Sequence, residues 1–432
     1  MTRRASALVI EYALAMAVVA SLAWCVAAFR TNGFLPQPFV MDTNDTFMDW
    51  FNTAYWANRP GAYDVWKTIY PPLSFVFLDI FTLPGCYVSS PFAARDCDWL
   101  SLTAIGLSYL ANIILLWIAF RRNDPASALP RTVAMGLGLP LLFTLERGNL
   151  ILVAMPAFIL AHDPLVRSRL VRAVAAAVTI NFKPYLLLPA MAWLVRRKWR
   201  SLEWAGLATI AVYLVTLAFV GSGTPGDLAT NTVDWIIFQS GQVWNEVNYA
   251  TSYAPLLTIR KASPLPLLDF VPSQLVEGVE FAVPLLIRMS QIVALCALAG
   301  IWLQPRASSH SRLALLLLGA YLVTQSPGGY TQIFVLFLVM LEKWEGWGPK
   351  IAIVSAYLLC LVGDVPISTI LEIKTNGWLS GRPVTPSFGL AYGHFIRPGL
   401  MVVILWALAF DTITRVIRAH HQHRPSLGLM PA

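Results

Sequence analysis

Three aspartates lie close together near the start of the chain: Asp42, Asp45 and Asp49 all fall within the stretch DTNDTFMDWFN. A carboxylate can take the proton from a hydroxyl group as that hydroxyl attacks an electrophile, which is general-base chemistry. Asp45 and Asp49 are four residues apart and share a face if this stretch is helical. Asp42 could equally be a solvated residue or a helix cap. The cluster predicts a general base, with Asp49 and Asp45 as the candidates.

Further polar residues lie at the ends of short apolar runs. They are Glu146, Arg147 and Asn149 in ERGN, Asn181, Lys183 and Tyr185 in NFKPY, and Gln325 and Tyr330 in QSPGGYTQ. Ionisable side chains at membrane depth are tolerated where they face a cavity or one another, so we expect one shared outward-facing cavity. Glu146 and Arg147 could form only a local ion pair. Lys183 has no acid near it in sequence and is therefore the better anion ligand.

The elements that position these residues follow from composition. The chain has 432 residues, of which 57% are hydrophobic and 12% are charged, against roughly 25% charged in soluble proteins. Its apolar runs approach or exceed the about 20 residues of a transmembrane helix and lack the alternation of a β-barrel. The sequence predicts an all-α, polytopic membrane protein with a single domain over residues 1–432. The net charge of +8 lies in short clusters between these runs, which indicates topology signals and not a nucleic-acid partner.

The basic clusters also predict the topology, because positively charged loops stay in the cytoplasm. The segment Pro71–Pro84 is short, proline-flanked and interrupted by Asp79, and a full crossing there would invert every later cluster. We therefore expect a re-entrant or juxtamembrane helix at this point and about twelve spans overall. The predicted spans lie near 7–29, 99–120, 130–145, 149–162, 171–183, 185–196, 203–221, 278–303, 312–326, 331–343, 350–363 and 394–411. Both termini are then cytoplasmic.

This topology leaves external segments at 30–98, 222–277 and 364–393, and a cytoplasmic tail at 412–432. Cys86 and Cys97 fall in the first of them, where an oxidising periplasm would permit a disulfide. Whether the two thiols are bonded or free depends on geometry that the sequence leaves open.

The order of these motifs resembles family 87 of the glycosyltransferases, membrane enzymes of the GT-C class that transfer sugars from polyprenyl phosphates. The resemblance covers roughly the first half of the chain, and the joint spacing of its short motifs carries it. The matching residues are Asp49, Gly61–Asp64 (GAYD), Ile69–Leu73 (IYPPL), Glu146–Leu150 (ERGNL) and Asn181–Pro184 (NFKP), which leads to Leu194–Arg200. The family's general base falls on Asp49, with Asp45 one helical turn earlier as the alternative.

The resemblance implies an inverting transfer of a mannose-like or arabinose-like sugar to a lipid-linked or cell-envelope glycan. The active site would face the periplasm from the bacterial inner membrane, with membrane lipids around it and no cofactor or metal. The donor phosphate would be bound by Lys183 and Arg147, or by a second set near the last external segment, His394, Arg397 and Arg382. The sugar and the acceptor would be bound by Trp56, Tyr70, Glu146, Asn149, Asn181, Tyr185, Gln325 and Tyr330.

Other functions remain open at this point. A lipid-linked sugar flippase or another transporter is the main alternative, and a glycan polymerase or ligase is an alternative within the enzymes. The chain contains no Walker loop, no Gly-rich dinucleotide motif, no His-Glu-x-x-His and no Gly-x-Ser-x-Gly, which argues against the chemistries that use them.

Overall fold

The fold consists almost entirely of helices. A computed structural model of the chain describes residues 3–39, 42–163, 166–239, 249–261, 272–325 and 327–422. Helices make up 72% of the structure and strands make up 4%. The helices are α1 (Arg3–Asn32), α2 (Met48–Ala57), α3 (Pro72–Ile80), α4 (Pro91–Cys97), α5 (Trp99–Asn123), α6 (Ala128–Gly136), α7 (Leu139–Arg147), α8 (Ile151–His162), α9 (Arg169–Phe182), α10 (Leu187–Ala190), α11 (Ala192–Val195), α12 (Trp199–Val220), α13 (Pro225–Gln239), α14 (Ser273–Leu303), α15 (His310–Thr324), α16 (Gln332–Met340), α17 (Trp347–Leu359) and α18 (Gly393–Gln422).

Six helical segments of the described chain are long and apolar enough to cross a membrane. They are Ala5–Asn32, Trp99–Asn123, Ala128–Arg147, Trp199–Val220, Ser273–Leu303 and Gly393–His421. The prediction of about twelve spans is not confirmed, because the other predicted spans fall on shorter helices. Four of the shorter apolar helical segments are Ile151–His162, Pro184–Val195, His310–Thr324 and Gly329–Met340. At 1.5 Å per residue, such helices fall short of a hydrocarbon core about 30 Å thick.

The short apolar helices form the centre of the molecule. α16 is buried along its whole length, and α15 packs against both α16 and α14. By contrast, most side chains of α12 are not buried, although this helix is strongly apolar. Burial of the short helices explains why they need not meet the length requirement of a lipid-facing span.

The first segment predicted to be external contains three short α-helices, α2, α3 and α4, and a 3-10 helix at Pro84–Cys86 among its described residues. α3 covers the proline-rich stretch with nine residues, or about 14 Å, so the prediction that this stretch does not cross the membrane as a full span agrees with its length. Cys86 and Cys97 are joined by a disulfide, which answers the question that the sequence left open. Asp98 follows the bridge and caps α5 by accepting a hydrogen bond from the Ser101 N–H at 3.0 Å.

The last segment predicted to be external is not helical, and here the all-α prediction is incomplete. Four strands, β1 (Pro366–Glu372), β2 (Thr375–Gly377), β3 (Arg382–Val384) and β4 (Ser387–Ala391), form two antiparallel pairs. β1 pairs with β4, and β2 with β3. The alternation of Ile, Thr, Val and Phe with short turns favours strands here. The apolar plan of the chain as a whole does not predict them.

The second long segment predicted to be external is described in part. It contains α13 and a 3-10 helix at Ala254–Lys261, while residues 240–248 and 262–271 lie outside the described residues. The predicted cytoplasmic tail begins inside α18, which continues to Gln422, and residues 423–432 are likewise outside the description.

Candidate active site

The turn that ends α7 lies directly against the start of α2. Gly148 follows α7 with a φ of 62°, in the left-handed region that glycine adopts at no steric cost. A Cβ there would lie 3.0 Å from the Phe47 carbonyl oxygen and 3.1 Å from the Trp50 Cβ. The Phe47 N–H donates to the Glu146 carbonyl at 2.7 Å, and the hydroxyl of Thr46 lies 3.5 Å from Oε1 of the buried Glu146 side chain. The ERGN motif is thereby fixed beside the aspartates.

Arg147 binds two of the three aspartates. Its Nη2 and Nε donate to Asp49 Oδ1 at 2.5 and 3.2 Å, and its Nη1 donates to Asp45 Oδ2 at 2.5 Å. The side chains are partly sheltered, with 17% of Arg147, 18% of Asp49 and 29% of Asp45 exposed. Charge pairs in such surroundings attract more strongly than pairs on an open surface. The Arg147 guanidinium, which was predicted to bind the donor phosphate, therefore holds the carboxylates of Asp45 and Asp49.

Asn149 fixes the other oxygen of Asp49. Its Nδ2 donates to Asp49 Oδ2 at 2.8 Å, and its Oδ1 accepts from the Ile151 N–H at 3.1 Å, where α8 begins. The Asn149 side chain is fully buried. Asp49 is consequently held through both oxygens by residues about one hundred positions away in the chain.

Lys183 lies near the same cluster, with Tyr70 between them. Its Nζ is 3.4 Å from the Tyr70 hydroxyl oxygen and 4.4 Å from the centre of the Tyr70 ring, a distance at which a cation is attracted to the ring face. The Tyr70 hydroxyl also interacts with the side chains of Asn149 and Thr53, and the Thr53 hydroxyl donates to the Asp49 carbonyl at 2.7 Å. A chain of polar contacts thus connects Lys183 with Asp49.

Burial changes the pKa of an acidic group, Asp45, and of a basic group, Lys183. It raises the pKa of Asp45, although the neighbouring Arg147 guanidinium opposes this. Lys183 lies in the turn after α9, outside the six long helices, and burial lowers its pKa to about 8 while the negative charge of Asp49 opposes the change. The site therefore combines a carboxylate that protonates more readily than usual with an ammonium group that loses its proton more readily than usual.

Tyrosine rings surround these charged groups. Tyr185 stacks on Tyr321 with ring centres 5.8 Å apart, and Tyr330 stacks on Phe143 at 5.9 Å. Tyr185 and Tyr330 both interact electrostatically with Tyr70. The buried Tyr185 hydroxyl has no hydrogen-bond partner among the described residues. The cluster thus combines aromatic rings with a buried hydroxyl that lacks a partner among the described residues.

The second predicted phosphate set contains a buried ion pair. Arg397 donates to Asp364 at 2.8 Å, and their side chains are only 7% and 5% exposed. His394 is buried beside them and its Nδ1 accepts from the Ala391 N–H at 3.3 Å. The Arg397 guanidinium also lies 5.2 Å from the ring centre of Tyr249, which in turn contacts Phe143 at 4.6 Å. An aromatic layer therefore connects this pair with Tyr330, and its role toward phosphate stays a prediction.

Arg382 and Gln325 have different surroundings. The exposed Arg382 donates to the carbonyls of Arg30 and Thr31 at 3.4 Å, at the end of α1. Gln325 ends α15 and its carbonyl accepts from the Thr251 hydroxyl at 3.1 Å. In the described part of the chain, neither residue forms a hydrogen bond or an ion pair with Asp49, so the geometry gives neither a place in the charged cluster.

Asn181 and Trp56 make contacts that account for them structurally. The Asn181 amide donates to the carbonyls of Ala177 at 2.9 Å and Thr209 at 3.2 Å, which ties α9 to α12. Trp56 stacks on Trp66 with ring centres 6.2 Å apart. Their predicted roles in binding sugar remain predictions, with packing as a sufficient reason for each residue type.

Sequence reasoning missed three residues around the site: Arg95, Thr53 and Asp364. Thr53 could have been found, because it lies four residues after Asp49 on the same face of α2. Asp364 is more than thirty residues from Arg397, and no local pattern joins them. Arg95 stands between two cysteines, 49 positions after Thr46, and its contacts depend on how the loop folds. Across the described residues, no group of three or more His, Cys, Asp or Glu side chains could hold a metal ion.

The fold and composition together define a membrane-embedded helical protein with a charged, tyrosine-rich cluster at the ends of its short buried helices. No known family model, curated protein or solved structure matches this chain.

Proposed function

We propose that this protein is an inverting glycosyltransferase that moves a sugar from a polyprenyl-phosphate donor to a glycan or glycolipid acceptor. The observation that supports it most is the joint placement around Tyr70 of a fixed carboxylate, Asp49, and a cation, Lys183, that has no carboxylate partner among the described residues. Such a transfer needs a proton acceptor for the attacking hydroxyl and positive charge for the leaving phosphate.

Asp49 is suited to accept the proton. Each carboxylate oxygen can accept about two hydrogen bonds. Oδ1 already accepts two from Arg147, whereas Oδ2 accepts one from Asn149. Oδ2 is therefore the atom that would accept the hydrogen bond of the acceptor hydroxyl and then its proton. Asp45, with one bond to Arg147 and a raised pKa, is the alternative base.

Lys183 is suited to the leaving group. Its ammonium group contacts Tyr70, and it forms no salt bridge with a carboxylate of the described residues. Arg147 and Arg397 are each already paired with carboxylates. The acceptor oxygen would attack the anomeric carbon as the bond from that carbon to the phosphate oxygen breaks. The polyprenyl phosphate would leave as an anion stabilised by Lys183, with a charge-assisted bond as the strongest contact.

The aromatic residues suit a sugar. Tyr70, Tyr185 and Tyr330 place ring faces and hydroxyls around the charges, and such rings can pack on the apolar faces of a pyranose or furanose while their hydroxyls bind its polar groups. The outward orientation of the site is part of the same proposal and follows from the distribution of positive charge. The bacterial inner membrane, with the site facing the periplasm, is what the resemblance to family 87 implies.

The test uses membranes that contain the protein, incubated separately with labelled polyprenyl-phosphate mannose and polyprenyl-phosphate arabinose. We expect label to move into a glycan or glycolipid product, and Asp49→Asn membranes to form far less of it. Asp42→Asn is the matched control, because Asp42 accepts bonds from the Asn44 N–H and the Thr375 hydroxyl and lies outside the Arg147 network. Label that only changes leaflet would instead indicate a flippase. Label that extends a polymer would indicate a polymerase or ligase.

A further inference from the structure

The residues from Asp42 to Phe47, here called the acid loop, have little regular structure of their own. The Asp45 N–H donates to the Asp42 carbonyl at 2.8 Å, and the Phe47 N–H donates to Glu146. Phe47 has a φ of 65°, which is unusual for a bulky residue and persists only where the surroundings enforce it. Something outside the loop must therefore hold it in place.

Arg95 of α4 supplies that support. Its Nη1 donates to the carbonyls of Asn44 and Thr46, the latter at 2.8 Å, and its Nη2 donates to the Asn44 Oδ1 at 3.2 Å. Asp45 lies between the two carbonyls that share one guanidinium nitrogen. Only 1% of Arg95 is exposed, so these charge-assisted bonds are shielded from water.

Aromatic residues pack against the Arg95 guanidinium in this position. Arg95 lies 4.6 Å from the ring centre of Trp378 and 5.6 Å from that of Phe92. Trp378 itself donates from Nε1 to Asp96 at 2.8 Å, and its ring meets Phe47 edge-on at 5.4 Å. The acid loop, α4 and the turn after β2 thus meet at one arginine.

The disulfide holds the helix that carries Arg95. Cys97 is the last residue of α4, two positions after Arg95, and it is bonded to Cys86. With seven residues, α4 is too short to be stable by itself. The covalent link therefore limits how far α4, and with it Arg95, can move from the acid loop.

We propose that Arg95 is a positioning residue for Asp45 and Asp49, and that the Cys86–Cys97 disulfide anchors it. Two arginines then act on the same acids. Arg95 holds the backbone on either side of Asp45, whereas Arg147 holds the side chains of Asp45 and Asp49. Its role in catalysis rests on the proposed function; its role in ordering the acid loop does not.

The test compares Arg95→Gln, Arg95→Lys, Cys86→Ser/Cys97→Ser and Arg59→Gln. Arg59 is the matched control, because it also donates to backbone carbonyls, those of Tyr87 and Val88, and lies over the Tyr55 ring at 4.4 Å, but it does not contact the acid loop. Hydrogen–deuterium exchange is measured on the purified proteins for peptides over residues 42–49 and over α5.

We expect Arg95→Gln to speed exchange over 42–49 on the order of tenfold to a hundredfold, the range for losing a hydrogen bond to a charged group, with α5 unchanged. The double serine variant should show a smaller increase at the same peptide. Exchange in Arg95→Lys should lie between the wild-type rate and the Arg95→Gln rate, because lysine keeps the charge but cannot reproduce the planar fork of the guanidinium. Arg59→Gln should leave 42–49 at the wild-type rate. If Arg95→Gln does not fold, Arg95→Lys alone decides the outcome.

Unchanged exchange over 42–49 in the Arg95 variants, or an increase of equal size in Arg59→Gln, would overturn the proposal. In the transfer assay, kcat should fall by up to about 10²-fold in Arg95→Gln, as for other small misplacements of a catalytic group. KM for the donor should stay near the wild-type value, because Lys183 lies on another segment. A wild-type protein without transfer activity would remove the proposed function, while the exchange data would still decide on Arg95.

Discussion

The three clustered aspartates differ in how firmly the protein holds them. Asp49 is bound through both oxygens, by Arg147 and Asn149, whereas Asp45 has a single bond to Arg147. Asp42 instead caps its own turn through the Asn44 N–H. Only a carboxylate of fixed orientation can meet an attacking hydroxyl in a defined geometry. The difference in support therefore predicts a difference in function.

We expect Asp49→Asn to lower kcat by about 10²–10⁴-fold, the usual contribution of a general base. The amide keeps the shape of the carboxylate but cannot take the proton. Asp45→Asn should lower kcat less, and Asp42→Asn least, when each is measured in the transfer assay at saturating donor. An inactive Asp45→Asn beside an active Asp49→Asn would move the base to Asp45. Full activity in all three variants would remove the base from this cluster altogether.

The proposed contact of Lys183 with the donor phosphate predicts that donor binding depends on pH. Its folded-state pKa is lowered to about 8 by burial, so the ammonium is charged below that pH and loses its proton as the pH rises through it. We expect KM for the polyprenyl-phosphate donor to be constant below about pH 7 and to increase above pH 8. Lys183→Arg should abolish this increase, because arginine keeps its charge throughout this range. A wild-type KM that stays flat to pH 9.5 would contradict a phosphate contact by Lys183.

At the scale of elements, buried ion pairs connect helices that are distant in sequence. Glu11 of α1 pairs with Arg131 of α6 at 2.8 Å, and both side chains are 1% exposed. The Tyr357 hydroxyl of α17 donates to the same carboxylate at 3.0 Å. Removing one partner from such a pair leaves the other charge buried without compensation.

Glu11→Gln should therefore destabilise the folded protein by about 3–5 kcal/mol, seen as a lower Tm in thermal unfolding of the purified protein. The matched control is Lys67→Gln. Lys67 pairs with Asp234 at 3.1 Å, but the side chains are 63% and 44% exposed, and such pairs are worth about 0–1 kcal/mol. Replacing both buried partners, as in Glu11→Leu/Arg131→Met, should recover part of the loss. Equal Tm values for Glu11→Gln and Lys67→Gln would show that the buried pair contributes no more than a surface pair.

For the whole molecule, the distribution of positive charge predicts that the first external segment and the Asp49 cluster face outward. Val88 in that segment is 73% exposed, and Lys350 at the opposite predicted face is exposed as well. Both positions can report on orientation without touching the cluster. Cys296 is an exposed free thiol, whereas Cys25 and Cys360 are buried.

In a Cys296→Ala background, Val88→Cys should react with an impermeant maleimide in intact cells. Lys350→Cys should react only after the membrane is permeabilised. The reverse pattern would invert the topology and place the Asp49 cluster in the cytoplasm, where the Cys86–Cys97 disulfide would be unexpected.

Composition and local pattern determined the class of the molecule. Hydropathy sums over neighbouring residues, so the apolar runs predicted the helices, and the proline-rich stretch at Pro71–Pro84 predicted a helix too short to span. Of the polar residues at the ends of the short runs, Arg147, Asn149 and Lys183 lie in one chain of contacts with Asp45 and Asp49, whereas Gln325 contacts Thr251 instead.

Only the tertiary structure decided what these residues do to one another. Arg147 and Asp49 are 98 positions apart, and Arg95 and Thr46 are 49 apart, so no local pattern could show that one arginine holds the acid side chains and another the acid loop. The same holds for the number of long helices, since burial of α16 among its neighbours relaxes the length that lipid contact would require. Hydropathy is a property of one segment, whereas the partner of a charge depends on which segments the fold brings within about 3 Å.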